Sequence, residues 1–110
     1  MKRPITSFEQ QVYDALSRVP LGKVTTYAEL ARAIGCRSAQ AVGQALKRNP
    51  SAPEVPCYRV IRADLSLGGY VGSTKGKKIA LKLALLQSEG VEFDSLGKLI
   101  NQNALYRFVG

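Results

Sequence analysis

The side chain with the greatest chemical reach in this sequence is Cys57. It lies in the run Val55-Pro56-Cys57-Tyr58-Arg59-Val60-Ile61-Arg62. A cysteine is nucleophilic as its thiolate, so its pKa must fall from about 8.5 through nearby positive charge or a helix N-terminus. Arg59 and Arg62 are the nearest cations in sequence. The competing reading is a small hydrophobe buried in an apolar strand. The sequence contains no histidine, which removes Cys-His dyads, Ser-His-Asp triads and histidine metal sites. Cys36 and Cys57 are the only cysteines, too few for a disulfide framework or a complete zinc site. Covalent chemistry must therefore come from Cys, Tyr, Ser, Thr, Lys or carboxylates. No metal and no cofactor is expected.

The elements that would position Cys57 can be read from capping and periodicity. Ser7-Phe8-Glu9-Gln10 has the form of a capping box, and Phe8, Val12, Ala15, Leu16 and Val19 repeat at helical spacing. A first helix is predicted from Ser7 to about Arg18, ended by Pro20 and Gly22. Val24-Thr25 reads as a short extended piece. Thr26-Tyr27-Ala28-Glu29 is a second box, opening a helix to about Ile34 with Gly35 after its end. Ser38 caps a third helix, Ala39 to about Arg48, stopped by Asn49-Pro50.

Two short helices joined by a glycine-containing turn have the form of a helix-turn-helix. The second is small-sided, with Ala39, Ala41, Gly43 and Ala45. Close packing on another helix and close approach to a nucleic-acid groove both fit. The segment around Cys57 is expected to be extended and partly buried. Gly68-Gly69 reads as a turn. A last helix is predicted from about Lys75 to Glu89, with Ile79, Leu83 and Leu86 as its inner stripe. The tail, with Val91, Phe93, Leu99, Ile100, Leu105, Tyr106 and Phe108, reads as a small hairpin packed on the core.

At 110 residues the chain is expected to form one domain, 1–110. Its hydrophobic fraction of 45% is that of a globular protein. No stretch approaches the roughly 20 apolar residues of a membrane span. The basic start, Met1-Lys2-Arg3-Pro4, is not followed by the apolar run of a signal peptide. The expected location is cytoplasmic, or nuclear in a eukaryote. Sixteen Lys and Arg oppose eight Asp and Glu, a net charge of +8. That balance favours a polyanionic partner such as DNA or RNA. The Lys75-Lys77-Lys78 cluster reads as a solvated face or as nonspecific phosphate contact.

Val55-Pro56-Cys57-Tyr58-Arg59-Val60-Ile61 resembles the I/V-P-C-H-R-V-V/I signature of the O6-alkylguanine-DNA alkyltransferases. Gly22-Lys23-Val24-Thr25-Thr26-Tyr27-Ala28-Glu29-Leu30-Ala31 is similar to the start of that family's helix-turn-helix. Ala41-Val42-Gly43 and Asn49-Pro50 match its recognition helix and exit. Leu67-Gly68-Gly69-Tyr70 and Leu85-Leu86-Gln87-Ser88-Glu89-Gly90 match its site loop and final helix. The register holds from about Phe8 to Gly90. The resemblance covers the DNA-binding, active-site domain alone, without the N-terminal domain and zinc of many members.

The resemblance implies an α+β fold, mostly helical, with a winged-helix-like helix-turn-helix and a small antiparallel β element. It implies a monomer acting on double-stranded DNA that carries O6-alkylguanine. The damaged base is flipped from the stack, and its alkyl group passes once and irreversibly to Cys57. Tyr27 would press the phosphate that rotates with the base, and Asn49 would brace the turn before the active-site strand. Tyr70 would donate to N3 of guanine. Main-chain groups around Val60 and Gly68-Gly69 would hold the base. Ser38, Gln40, Ala41, Gly43, Lys47 and Arg48 would face DNA, the slim helix entering the minor groove. Cys36 matches no family residue.

Three positions depart from the family pattern. Tyr58 replaces the His that takes the cysteine's proton, and a phenol with pKa about 10 is a poor base at neutral pH. Leu83 stands at or next to the place of the Glu that orients that His. Gln40 replaces the Arg that fills the gap left by the flipped base. Two functions follow. In the favoured one the chain still transfers the group, its thiolate supported by Arg59, a helix terminus and Tyr58 as donor. In the other it is an alkyltransferase-like sensor that binds the lesion and recruits other repair proteins. The non-catalytic branch of the family has replaced this cysteine, often by Trp; this chain has kept it. A plain helix-turn-helix binder would explain the charge and the capping boxes but not Pro56-Cys57, Gly68-Gly69-Tyr70 and Asn49 together.

Overall fold

Thr6, not Ser7, opens the first helix of the computed structural model, which describes residues 4–48, 56–68 and 76–108. The Thr6 side chain accepts from the Glu9 amide at 3.1 Å, and the Glu9 carboxylate accepts from the Thr6 amide at 3.0 Å. The capping box thus forms one residue earlier than predicted, with a carboxylate where Gln10 would offer an amide. Helix α1, Ser7–Leu16, turns Val12, Ala15 and Leu16 inward, all buried. Its end comes before Arg18, where Ser17 donates its hydroxyl to the Tyr13 carbonyl.

Strand β1, Thr25–Thr26, leads directly into α2, Tyr27–Ala33. Thr26 caps α2 by accepting from the Glu29 amide at 3.0 Å. Only this half of the expected box forms. The Glu29 carboxylate instead holds Arg32 and the Phe108 amide, which ties the tail to α2. Gly35, at φ +72°, ends the helix as predicted. Ser38 caps α3, Ala39–Lys47, by accepting from the Ala41 amide at 3.0 Å. Helices α1, α2 and α3 pack together around Val12, Leu16, Leu30, Val42 and Leu46. Tyr13 donates its hydroxyl across that core to the Ala45 carbonyl at 2.7 Å.

The sheet is parallel, not the antiparallel element expected. Strand β2, Val60–Ile61, pairs with β1 in the register Thr25↔Val60 and Thr26↔Ile61. The reason is topological. Two helices lie between the strands in sequence, and such a crossover returns the chain in its starting direction. Antiparallel contacts are limited to the isolated bridges Ser66↔Lys98 and Phe93↔Leu99. The second closes the hairpin-like tail predicted from the sequence. Val91, Leu99 and Phe108 are buried there, whereas Ile100 is exposed.

Helix α4, Lys77–Ser88, packs on the turn that carries Cys57. Of its predicted stripe, Leu86 is fully buried while Ile79 and Leu83 are half-buried. The centre of the face is Lys82, with no exposed surface. Just beyond the helix, the Glu89 carboxylate gathers three segments. Arg59 grips it with two bonds of 3.0 and 2.8 Å, Tyr58 donates its hydroxyl at 2.6 Å, and the Gly22 amide donates at 3.2 Å. Arg59 also donates to the Val19 carbonyl at 3.0 Å. Gly22 holds φ +86°, and a Cβ there would sit 3.3 Å from the Glu89 carbonyl oxygen, so the close approach needs glycine.

Burial works against the Glu89 charge, yet the bonds from Arg59, Tyr58 and Gly22 hold its carboxyl below the ordinary 4.5. A lowered folded-state pKa means this contribution is complete above that ordinary value and is lost as pH falls through the folded one. Glu89→Gln should cost about 3 kcal/mol at pH 7, because it strands a largely buried guanidinium. Urea unfolding should show that cost shrinking as the pH drops below 4.5. Thr25 offers the opposite case: it is fully buried, and among the described residues nothing partners its Oγ1. Thr25→Val keeps the shape and removes the unpaired hydroxyl, so stability should rise by about 1 kcal/mol in the same assay.

Candidate active site

Cys57 opens a 3-10 turn, Cys57–Arg59, rather than sitting in an extended strand. Pro56 precedes it with φ −81°, and the turn closes when the Arg59 amide donates to the Pro56 carbonyl at 2.9 Å. The chain straightens only at Val60. Cys57 is 5% exposed, so it is as buried as a structural cysteine. It belongs to the buried core, and its charge acts on Tyr27 and Lys82.

The side chains expected to support a thiolate point elsewhere. Arg59 is bound to Glu89 and to the Val19 carbonyl. Tyr58 donates to Glu89, and the Arg59 guanidinium lies 5.3 Å from its ring centre. Burial and the Glu89 hydrogen bond push the Tyr58 phenol up to about 12, so it stays a neutral donor at physiological pH. The carboxylate facing residue 58 is thus Glu89, not a side chain at Leu83. No carboxylate was expected opposite residue 58, and Glu89 supplies one.

The charge of Cys57 acts on a different pair, Lys82 and Tyr27. Lys82 reaches in from α4 and donates to the Val60 carbonyl at 2.7 Å and the Leu67 carbonyl at 2.6 Å. Burial lowers its pKa to about 7, and the charge of Cys57 pulls the other way. Tyr27 enters from the start of α2. Burial raises its phenol, the charge of Cys57 adds to that, and Arg62 opposes it. Gly68, at φ +75°, lies against both: a Cβ there would sit 3.4 Å from Arg62 Cγ and 3.6 Å from the Tyr27 hydroxyl. Gly68 and Tyr27 thus lie side by side, and Tyr27 is within electrostatic reach of Cys57. Asn49, Gly69 and Tyr70 lie outside the described residues.

Lys82 went unread in the sequence. Its signal was a lysine in register with Ile79, Leu86 and Glu89 on the inner face of a helix. Among the described residues, no cluster of three His, Cys, Asp or Glu side chains suits a metal. A cleft of 420 Å³ lies between α2 and the tail, lined by Glu29, Arg32, Leu105 and Tyr106; Cys57 is not part of it.

Helix α3 approaches this group at Tyr27. A side chain starting at Gly43 would begin 3.9 Å from the Tyr27 ring. Val42, Ala45 and Leu46 pack inward, while Gln40, Gln44 and Lys47 are exposed at helical spacing. Ser38 and Arg48 are exposed at its two ends, and Ala41 is half-buried. Arg48 also lies 3.7 Å from Glu9. The small residues thus serve both readings, one edge packed and the other open. Cys36, in the turn before α3, is engaged with the main chain of Ser38.

Residues 7–91 match the family model of the 6-O-methylguanine DNA methyltransferase DNA-binding domain. The constitutive methylated-DNA–protein-cysteine methyltransferase of Bacillus subtilis is 43% identical, over 80% of this chain and 52% of that protein. The Methanothermobacter thermautotrophicus enzyme of the same name is 42% identical, over 81% and 47%. The chain thus spans about half the length of these relatives. The Mycobacterium tuberculosis OGT structure in complex with DNA superposes with a TM-score of 0.69 at 44% identity, covering 79% of this chain and 51% of that one. The Schizosaccharomyces pombe Atl1 structure, in complex with damaged DNA containing O6-carboxymethylguanine, gives 0.75 at 33% identity and covers 96% and 99%. With this match to the family over most of its length, the chain belongs to the 6-O-methylguanine-DNA methyltransferase family through its DNA-binding domain.

Proposed function

We propose that this chain binds duplex DNA as a monomer, flips out O6-alkylguanine and takes the alkyl group onto Cys57. The observation that supports the proposal is the place of Tyr27, between α3 and the Gly68 loop and within electrostatic reach of Cys57. Helices α2 and α3 act as the helix-turn-helix, and α3 offers its slim open edge to the minor groove. Ser38, Gln40, Lys47 and Arg48 contact the strand backbone or the gap in the stack, with Ala41 and Gly43 keeping the helix narrow. The flipped base enters between Tyr27 and the loop at Gly68, Gly69 and Tyr70, where main-chain groups near Val60 hold it. Asn49 braces the turn that leads there.

The chemistry is a displacement at saturated carbon. The Cys57 thiolate forms an S–C bond as the C–O6 bond breaks, and the electron pair leaves with guanine. A soft sulfur nucleophile suits such a carbon. A raised phenol pKa keeps Tyr27 protonated, so it can act as a hydrogen-bond donor at neutral pH.

A second reading has its own support. The match to S. pombe Atl1 spans nearly the whole of both chains, and Tyr58 cannot act as a base near pH 7. In that reading the chain senses the lesion and hands it to other repair proteins.

Intact mass after incubation with an O6-methylguanine duplex separates the two. Transfer adds one methyl to the parent chain and none to Cys57→Ala. Preferential binding to the lesion with no mass change would establish the sensor instead. The DNA surface has its own check. Lys47→Ala should weaken binding evenly across sequences, and the slope of log affinity against log salt should fall by about 1. An unchanged slope would remove Lys47 from the interface.

A further inference from the structure

Arg62, the first residue after β2, has no role in the fold or the reaction described so far. Its stem and the Tyr27 hydroxyl converge on Gly68. A Cβ on that glycine would sit 3.4 Å from Arg62 Cγ, 3.8 Å from Arg62 Nε and 3.6 Å from the Tyr27 hydroxyl. The backbone beneath the stem is fixed at both polar groups. The Arg62 amide donates to the Ser66 carbonyl at 3.0 Å, and the Arg62 carbonyl accepts from the Leu65 amide at 2.8 Å. The side chain itself is exposed, and among the described residues no polar group pairs with its guanidinium. The carboxylates of the two segments that meet here are engaged elsewhere. Asp64, in the same turn, accepts from the Ser66 amide and hydroxyl and lies 3.6 Å from Lys98. Glu29, two residues past Tyr27, accepts from Arg32 and the Phe108 amide.

An unpaired guanidinium on an anchored stem is a site for an anion, since its planar fork matches two oxygens of a phosphate or a carboxylate. Two anions qualify: the phosphodiester of the flipped nucleotide, and an acidic substituent on O6 of the lesion. Exposure separates them. Cys57 is 5% exposed, so the group it receives lies deep, whereas Arg62 is solvated.

We propose that Arg62 binds the phosphate of the flipped nucleotide beside Tyr27. The inference rests on the base-flipping reading above and adds a cation to the phosphate contact expected of Tyr27. The charge of Arg62 reaches the Tyr27 phenol and opposes the rise in its pKa, so the two groups share one electrostatic neighbourhood. Extruding a base turns the backbone about that nucleotide, and its phosphate meets Arg62 only in the flipped state. The contact therefore acts on preference for the lesion. Lys47, on the open edge of α3, meets the backbone whether or not a base is flipped.

The test is duplex binding by Arg62→Gln in a Cys57→Ala background, where no alkyl group is transferred. Affinity for an O6-methylguanine duplex should fall about tenfold, while affinity for the undamaged duplex changes far less. Replacing the two phosphates that flank the lesion by neutral methylphosphonates, one at a time, locates the contact. At one of them the replacement should cost about tenfold with Arg62 present and little more once Arg62→Gln is made. Arg62→Lys keeps the charge without the fork, should fall between the two, and serves in place of Arg62→Gln if that variant does not fold. Equal losses on damaged and undamaged duplexes would make Arg62 a general backbone cation and overturn the proposal. Losses that add in full at both phosphates would do the same. A loss confined to a duplex carrying O6-carboxymethylguanine would assign Arg62 to the substituent instead. Lesion preference untouched by Arg62→Gln would remove this inference alone. No lesion preference with Arg62 in place would remove the flipping reading, and the inference with it.

Discussion

The site depends on a single carboxylate. Glu89 receives the Arg59 guanidinium, the Tyr58 hydroxyl and the Gly22 amide. These groups come from the nucleophile's turn and from the loop after α1, while Glu89 itself ends α4. A buried ion pair is weak evidence for net stability, because desolvation offsets much of the attraction. Its value is positional. Each bond has a direction, and together they leave the Cys57–Arg59 turn little freedom to rotate. The turn in turn sets where the Cys57 sulfur lies relative to Tyr27 and Lys82.

The same carboxylate explains why position 58 carries a hydrogen-bond donor. A buried Glu without a donor would be an uncompensated charge. Tyr58 supplies the donor, and Arg59 neutralises the charge. Arg59 reads in the sequence as a cation beside the nucleophile, yet its charge is spent on Glu89.

Charge is handled in two ways within one small core. At Glu89 it is kept and paired. At Lys82 burial disfavours it, and the amine donates to two carbonyls. Glu89, at the end of α4, holds the three-residue turn that starts with Cys57, and Lys82, two turns earlier, holds the strand and loop that follow it. The outer surface works by different rules. There Gln40, Gln44 and Lys47 are solvated, and the excess of basic residues favours a polyanion over long range.

The sequence alone determined the local structure and the family. Capping side chains and glycines act within a few residues, so Thr26, Ser38 and Gly35 marked helix ends that the fold retains. Competition between near neighbours was harder to read, and Thr6 displaced Ser7 because Glu9 is the better reciprocal acceptor. Motifs in register likewise located Cys57, Tyr27 and Gly68. Strand direction was not legible, since it depends on the path of α2 and α3 between β1 and β2. Nor were the partners of charged side chains. Glu89 and Lys82 lie 32 and 25 positions from Cys57 in the chain, and no local pattern couples residues at such a distance. Tertiary packing decided that Glu89 meets Tyr58 and that Lys82 turns inward, because only the assembled core sets which amines and carboxylates lose their water and what replaces it.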